Sequence, residues 1–306
     1  MWQQGQTLDG GYTVTADLGG DEWTSTLKIS AADGQDRVLR VLHAAREPAR
    51  GRFHTAAERL CDAPHGNLVN VLEVLTVEGF PAALCEYIGN CDLRVWMGPS
   101  VRELGAVLPV FRGIVRGVAA GHALGLVHGN LRASKVMVTL TGHAKVADFA
   151  LGTLVEDGAL PETDLAHLGP LLGHLLTGDP THLTGQQLWE DTPQAVVALL
   201  RDLSAPGSAQ FPSSADALLD RLAEDPGLAV LMIDDPRRGR TPIAPPRMAA
   251  LPPAFRRTDF TTGENTLPTP DASTDRQRAD PVWWLLFLAA LGAGLALLAV
   301  LLVSVL

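Results

Sequence analysis

GLVHGNLRASKVMVTLTGHAKVADFALG, residues 125–152, is the stretch on which the fold prediction depends. It contains two short apolar runs, residues 136–138 and 144–147, which are separated by Thr-Leu-Thr-Gly-His. Apolar runs of this length around a glycine-containing turn predict a β-hairpin. His128-Gly129-Asn130 precedes the first run, and Asp148-Phe149 directly follows the second. The segment is therefore predicted to be a polar loop, a short hairpin and a second loop.

In order and spacing this segment resembles the catalytic core of bacterial Hanks-type Ser/Thr protein kinases. The pattern of that family is H-R-D-L-K-x-x-N, a hairpin and D-F-G. The resemblance implies that Asn130 replaces the proton-accepting Asp and that Lys135 replaces the metal-binding Asn. Gly129 stands in place of the family's Arg, and Ala150 in place of the last Gly, whereas Asp148 is retained. The order and spacing of the kinase motifs are kept, but several of the side chains that carry out phosphoryl transfer in the family are replaced.

Composition sets the broad limits. A chain of 306 residues with 46% apolar residues can form one large or two ordinary domains with a sizeable core. The chain has 24 basic and 34 acidic residues, so its net charge is −10, which argues against nucleic acid as a partner. Its three cysteines, Cys61, Cys85 and Cys91, lack metal-ligand spacing and are interpreted as reduced cytosolic thiols. No structural metal is predicted.

Three strands are predicted at the N-terminus, over residues 12–20, 24–30 and 36–44, because short alternating runs are separated by Gly-Gly and Asp-Gly. In the family the first turn is G-x-G-x-x-G, which closes over phosphates. Only Gly19 is retained in place, and Asp21 and Glu22 would repel an anion, so an ordinary hairpin turn is the preferred interpretation. The third strand resembles V-A-I-K, with Arg40 at the position of the phosphate-binding Lys.

Two helices are predicted next, over residues 49–61 and 104–125. In the first helix Ala56 occupies the place of the Glu that pairs with the family's Lys, so that ion pair is predicted to be absent. Cys85 takes the position that gates the nucleotide pocket, or it simply fills the sheet. The resemblance further implies a set of stacked side chains that join the two lobes, with ordinary core packing as the alternative. These residues are Leu60, Val71, His128 and Phe149.

The second half of the kinase pattern is shortened. Few residues separate Asp148 from Pro161-Glu162, which is similar to the family's A-P-E triplet, and Asp164 then opens a predicted helix. Two last amphipathic helices are predicted over residues 194–203 and 213–223. The segment that carries an activating phosphate and holds a peptide substrate is therefore predicted to be largely missing. The resemblance covers about residues 10–230.

Three regions are predicted: a kinase-like domain over residues 1–232, a disordered Pro/Arg/Thr-rich linker over 233–280, and a transmembrane helix over 281–306. The linker threonines have two alternative interpretations. They have no specific role, since threonine is common in linkers, or they are phosphorylation sites that a phosphothreonine-binding partner recognises. They are Thr258, Thr261, Thr262, Thr266 and Thr269.

The last 25 residues, 282–306, carry no charge. As a helix they would be about 37 Å long, which exceeds a hydrocarbon core of about 30 Å. Arg276 and Arg278 precede them, so the N-terminal domain is predicted to be cytoplasmic and the chain a single-pass tail anchor of the cell membrane. Gly292 and Gly294 each have another small residue four positions away, a spacing that allows two membrane helices to pack closely. The alternatives are therefore a weak homodimer through this helix and a monomeric membrane anchor.

The predicted fold class is α+β: a two-lobed protein-kinase-like fold with a small β-rich N-terminal lobe, a helical C-terminal lobe and a shortened activation segment, plus one C-terminal transmembrane helix. The predicted function is that of a membrane-tethered pseudokinase, a protein-binding scaffold in signalling. The alternatives are a divergent active Ser/Thr kinase and a nucleotide-binding switch that transfers no phosphate.

No residue is assigned as catalytic, because Asn130, Lys135 and Asp148 stand in a degenerate pattern. Gly19, Arg40, Lys135 and Asp148 are the candidate nucleotide-binding residues, and Asp148 is the candidate metal ligand. No cofactor is required by this function. ATP binding stays open, whereas Lys135 disfavours Mg²⁺, and Lys135 has pairing with Asp148 as its alternative role.

Overall fold

The computed structural model describes residues 2–20, 23–43, 48–89, 91–98, 103–152, 160–178 and 192–232. The chain divides into two units, Met1–Arg247 and Met248–Leu306, and every described residue belongs to the first. The predicted linker over 233–280 and the predicted transmembrane helix over 281–306 lie outside the described residues, as do Asp21 and Glu22. Those predictions, and the boundary after residue 232, stay predictions.

An antiparallel sheet with the strand order β1-β2-β3-β5-β4 forms the N-terminal lobe. Its strands are β1 Thr13–Gly20, β2 Thr24–Ser30, β3 Asp36–Leu42, β4 Val71–Val77 and β5 Phe80–Glu86, and helix α1, Ala49–Asp62, lies between β3 and β4 in the chain. The alternating residues Leu27, Ile29, Leu39 and Val41 are all buried in one cluster. Burial of alternate positions fixes the register of such strands, because a slip of one residue would expose them. The three strands predicted from this alternation are present.

Helices and one short hairpin make up the C-terminal lobe. The hairpin strands are β6 Val136–Val138 and β7 Ala144–Val146, and the helices are α2 Leu93–Met97, α3 Leu104–Ala123, α4 Phe149–Gly152, α5 Pro161–Thr177, α6 Gln194–Leu203, α7 Ala215–Glu224 and α8 Pro226–Ala229. The predicted hairpin is confirmed, and so are the predicted helices at α1, α3, α6 and α7.

Helix α5 begins earlier than the sequence predicted. It starts at Pro161, so Pro161 and Glu162 form its first turn and do not precede it, and Asp164 is its fourth residue. Proline suits the first helical position because its missing N–H would have no partner there. Acidic residues in the first turn interact favourably with the positive end of the helix dipole. Both effects extend the helix toward the N-terminus.

Helix α3 is the central helix of the C-terminal lobe. Among the described helices it is the one long and apolar enough to cross a membrane by length and composition, and most of it is buried inside the protein. Two glycines allow close packing on it. A Cβ atom at Gly121 would lie 2.3 Å from the Phe149 ring, and one at Gly117 would lie 2.4 Å from the carbonyl oxygen of Asn67. Phe149 and the α1–β4 connection therefore pack directly against the helix backbone.

The β6–β7 hairpin is tied to the N-terminal lobe. The Val146 N–H donates to the Asn67 carbonyl at 2.8 Å, and the Asn67 side chain donates to the Ala144 carbonyl at 2.8 Å. Lys145 of β7 pairs with Glu86 at the end of β5, with 2.6 Å between Nζ and Oε1. These contacts hold the hairpin in place under the sheet.

Candidate functional site

A cleft of about 530 Å³ lies between the sheet and the β6–β7 hairpin. Its volume is within the range of about 300–1,000 Å³ that is typical of small-molecule sites. All four candidate nucleotide-binding residues line this cleft, namely Gly19, Arg40, Lys135 and Asp148. Asn130 is not among the lining residues. The structure thus brings together residues that are far apart in the sequence, the widest separation being the 129 positions from Gly19 to Asp148.

The register of β1, β2 and β3 determines which residues line the upper side of the cleft. Gly19 lies opposite Thr26, and Thr26 lies opposite Arg40, so the three residues form a row across β1, β2 and β3. Arg40 donates from Nη1 to the Thr26 hydroxyl and from Nη2 to Oδ2 of Asp148. The guanidinium is therefore directed from the sheet into the cleft and reaches the C-terminal lobe.

Asp148 is the centre of a charge cluster at the bottom of the cleft. Its side chain is 5% exposed, and Lys135 Nζ lies 2.6 Å from the same Oδ2 atom that Arg40 contacts. Burial alone would raise the pKa of Asp148, but the charges of Arg40 and Lys135 outweigh burial and lower this pKa to about 2. The carboxylate is thus ionised and shared by two cations. Pairing of Lys135 with Asp148, one alternative from the sequence, is what the structure contains.

The backbone of Asp148 is in the left-handed region, with φ of +70°. Aspartate tolerates this conformation better than most residues. The Asp148 carbonyl accepts a hydrogen bond from the Leu151 N–H at 2.9 Å, which starts the short helix α4. Asp148 therefore turns the chain sharply after β7 while its side chain faces Arg40 and Lys135.

His128 and Phe149 lie in contact behind the cleft. Their ring centroids are 5.1 Å apart in an edge-on arrangement. Burial lowers the pKa of His128 below its usual range, so the imidazole is neutral. Its Nε2 donates to the Ala147 carbonyl at 2.9 Å, and its Nδ1 accepts from the Asn130 N–H at 3.2 Å. His128 thus connects the polar loop to the end of the hairpin.

The four side chains predicted to join the lobes are all buried. Relative exposure is 5% for Leu60, 6% for Val71, and 2% for both His128 and Phe149. On helix α1, Ala56 is buried, whereas Glu58 is on the exposed face and pairs with His54 at 3.3 Å. Arg40 has its carboxylate partner in Asp148, on the other lobe.

Asp164 has a structural role that the sequence did not indicate. Its carboxylate is fully buried and accepts hydrogen bonds from the N–H groups of His128 at 2.7 Å and Gly129 at 2.8 Å. His122 Nε2 lies 2.9 Å from Oδ2. Burial would raise the pKa of Asp164, but the hydrogen bonds from His122 and the two N–H groups lower it. Its place in the first turn of a helix was the only signal, and first-turn acids are usually solvated.

Arg132 is a second residue that the sequence reasoning missed. It lines the mouth of the cleft, and its side chain is exposed. Within the described part of the chain no ion pair or hydrogen bond involves its guanidinium. The signal was present in the kinase pattern, because Arg132 occupies the Lys position of H-R-D-L-K-x-x-N.

Two lobes, a cleft between them, and a loop–hairpin–loop at its lower side define a protein-kinase fold. Residues 21–167 match the family model described as protein tyrosine and serine/threonine kinase. A mutant form of the PknI kinase domain from Mycobacterium tuberculosis aligns with a TM-score of 0.59 at 21% identity, covering 73% of this chain and 98% of that domain. The serine/threonine-protein kinase PknL of Mycobacterium tuberculosis is 29% identical over 297 residues, which are 80% of this chain and 72% of PknL.

Residues 21–167 therefore form a protein-kinase domain, and the chain is similar to bacterial Ser/Thr protein kinases of the Hanks type. The serine/threonine-protein kinase Pkn1 of Myxococcus xanthus is 28% identical over 140 residues, or 44% of this chain. The matched region spans only 19% of Pkn1, and for PksC of Streptomyces coelicolor it spans 29% of that kinase.

Proposed function

We propose that this chain is a membrane-tethered pseudokinase that regulates signalling by binding another protein. The arrangement at Asp148 is the observation that supports this proposal most strongly. Phosphoryl transfer requires metal ligands, a phosphate cradle and a group that orients the attacking hydroxyl. Here Asp148 is the one retained metal-ligand residue, and its carboxylate forms ion pairs with Arg40 and Lys135. That cluster favours a structural use of the carboxylate.

Asn130 adds a second argument. Its amide cannot accept a proton as a carboxylate does, and loss of general-base catalysis alone lowers rates by about 10²–10⁴-fold. Ala56 adds a third, because helix α1 presents no carboxylate toward Arg40 at that position. The retained packing of His128 and Phe149 beside this loss of polar groups supports a kinase fold kept for its shape.

A divergent active Ser/Thr kinase is the second candidate function. Relatives such as PknL and Pkn1 are named as serine/threonine-protein kinases, and Asp148 is retained. A direct assay of phosphate transfer separates the two candidates.

Full-length protein purified in detergent is expected to transfer no labelled phosphate from ATP to itself or to generic protein acceptors, because the metal-ligand and base positions are altered. Asn130→Ala is the matched variant, since only the Asn130 backbone N–H has a hydrogen bond in the described structure and the fold should persist. Incorporation that Asn130→Ala abolishes would establish an active kinase. Incorporation that is also unchanged in Asp148→Asn, which removes the one retained metal-ligand carboxylate, would come from a contaminating kinase.

The proposed membrane tether rests on the uncharged residues 282–306. Because Arg276 and Arg278 precede them, we expect the N-terminal domain to be cytoplasmic. Protease added to intact spheroplasts should leave this domain uncut, and a C-terminal reporter should behave as non-cytoplasmic. Lysed spheroplasts are the control, in which the domain should be digested. Digestion in intact spheroplasts would contradict the orientation.

The proposed partner is a protein at the cytoplasmic face of the membrane. The linker segment Thr258–Thr269 would attract a phosphothreonine-binding module once phosphorylated, since phosphate adds charge and acceptor oxygens that arginine clusters bind. Self-association through residues 281–306 is compatible with this proposal and would place two copies of the domain side by side.

A further inference from the structure

Four cationic side chains line the same cleft, namely Arg40, Arg94, Arg132 and Lys135, and Arg94 is paired with Asp92. Arg40 and Lys135 share one oxygen of Asp148, so these three groups together carry a net charge of +1. Arg132 adds another positive charge at the mouth. The lining also contains the carboxylates Glu86, Asp92 and Asp148, so its four cations and three carboxylates sum to +1, whereas the chain as a whole carries a net charge of −10.

Magnesium does not fit the residues present here. Mg²⁺ requires oxygen ligands in near-octahedral geometry at about 2.0–2.1 Å. The Oδ2 atom of Asp148 is already contacted by an ammonium and a guanidinium. Lys135 replaces the amide that supplies the family's other protein ligand, and an ammonium has no lone pair to donate. A divalent ion at this carboxylate would also be repelled by both cations.

The same residues suit a phosphate anion. Arg40 uses one N–H of Nη1 for Thr26 and one N–H of Nη2 for Asp148, which leaves three of its five N–H donors. The Lys135 ammonium has three donors, of which Asp148 takes one. Both side chains are partly exposed, at 16% and 17%. Arginine and lysine are the side chains that bind phosphate in proteins.

The cleft also has an apolar part, beside polar groups that include Glu86 and Asp92. Val38, Cys85 and Met137 line it together with the positive end. An apolar wall beside a cationic end matches a molecule that has a flat heterocycle at one end and phosphates at the other. A nucleoside polyphosphate has this form.

We propose that the cleft binds a nucleoside polyphosphate free of metal, with Arg40, Lys135 and Arg132 taking the place of Mg²⁺. This proposal adds a ligand to the proposed pseudokinase function, at the same cleft. It rests on that function in one respect, namely that the phosphate of the bound nucleotide is not transferred. Mg²⁺ in solution then opposes binding, because it neutralises the phosphates that the cations bind and adds a charge that they repel.

The test is calorimetric titration of the full-length protein in detergent with ATP, once with EDTA and once with excess Mg²⁺. Binding is expected in EDTA, and excess Mg²⁺ should weaken it by about tenfold or more, the size of one lost charge-assisted hydrogen bond. Binding that requires Mg²⁺ or is tightened by it would overturn the proposal. So would the absence of binding in EDTA.

Two variants complete the test. Arg132→Gln should weaken the binding of metal-free ATP by about tenfold without affecting folding, since its guanidinium is exposed. Arg116→Gln is the matched control, because Arg116 is exposed on α3 and does not line the cleft. Equal affinities for the two variants would contradict the proposal. Absence of ATP binding would leave the pseudokinase function standing, whereas phosphate transfer that Asn130→Ala abolishes would refute that function.

Discussion

Asp148→Asn is expected to lower the free energy of unfolding by about 3–5 kcal/mol, the range found when one partner of a buried ion pair is removed. The variant leaves Arg40 and Lys135 close together, mostly buried and without their shared carboxylate. Asparagine is the appropriate replacement because it keeps the shape of the side chain and tolerates the positive φ of this position. The loss thus reports the missing charge.

Chemical denaturation of the full-length protein measures this loss. Asp36→Asn is the matched control, because Asp36 pairs with Lys28 at 2.7 Å but is 43% exposed. Exposed pairs contribute about 0–1 kcal/mol, so the control should change little. A second variant, Lys135→Met in the Asp148→Asn background, should recover part of the stability, since it removes one of the two repelling cations. Equal losses for Asp148→Asn and Asp36→Asn would contradict the structural role of the cluster.

The pH dependence follows from the lowered pKa of Asp148. With a pKa of about 2 in the folded protein and about 3.9 in the unfolded chain, the carboxylate stabilises the fold above the unfolded value. This contribution is lost as the pH falls from about 4 toward 2. The difference in stability between the native protein and Asp148→Asn should therefore be constant near neutral pH and shrink in that acidic range.

Much of the fold could be predicted from the sequence because its signals are local. Alternating residues in β2 and β3 determine two strands, and the helical spacing of apolar residues determines α3. The order of the kinase-like motifs then supplies the topology. The start of α5 was placed three residues late, because Pro161 and Glu162 were assigned to a preceding loop when they favour a helical first turn.

The charge cluster was only partly predictable. Lys135 and Asp148 are 13 residues apart and flank one hairpin, so their pairing was a natural alternative. Arg40 and Asp148 are 108 residues apart, and their contact depends on how the sheet lies over the hairpin. Likewise, Lys145 and Glu86 pair across 59 residues with no motif that indicates it. Side-chain pairing of this kind is determined by tertiary packing, which local patterns do not contain.

Asp164→Ala is expected to destabilise the protein by about 3–6 kcal/mol, because two hydrogen bonds to a charged group contribute about 1.5–3 kcal/mol each. The N–H groups of His128 and Gly129 would lose their shared acceptor, and the buried N–H of His128 would have no replacement. His122 would lose its carboxylate partner as well. Local sequence patterns could not indicate this effect, since the acceptor and its donors are 35 and 36 residues apart.

Glu162→Ala is the matched control for Asp164→Ala, because Glu162 lies in the same first helical turn but is exposed. Favourable interaction with the helix dipole contributes about 0.3–1 kcal/mol, so this control should lose no more than that. Amide hydrogen exchange adds a local measurement: Asp164→Ala should accelerate exchange at His128 and Gly129 more than in helices α6 and α7, whose hydrogen bonds do not involve Asp164. If exchange at the two amides were unchanged, Asp164 would not hold the loop. The position of His128 against Phe149 would then depend on packing alone.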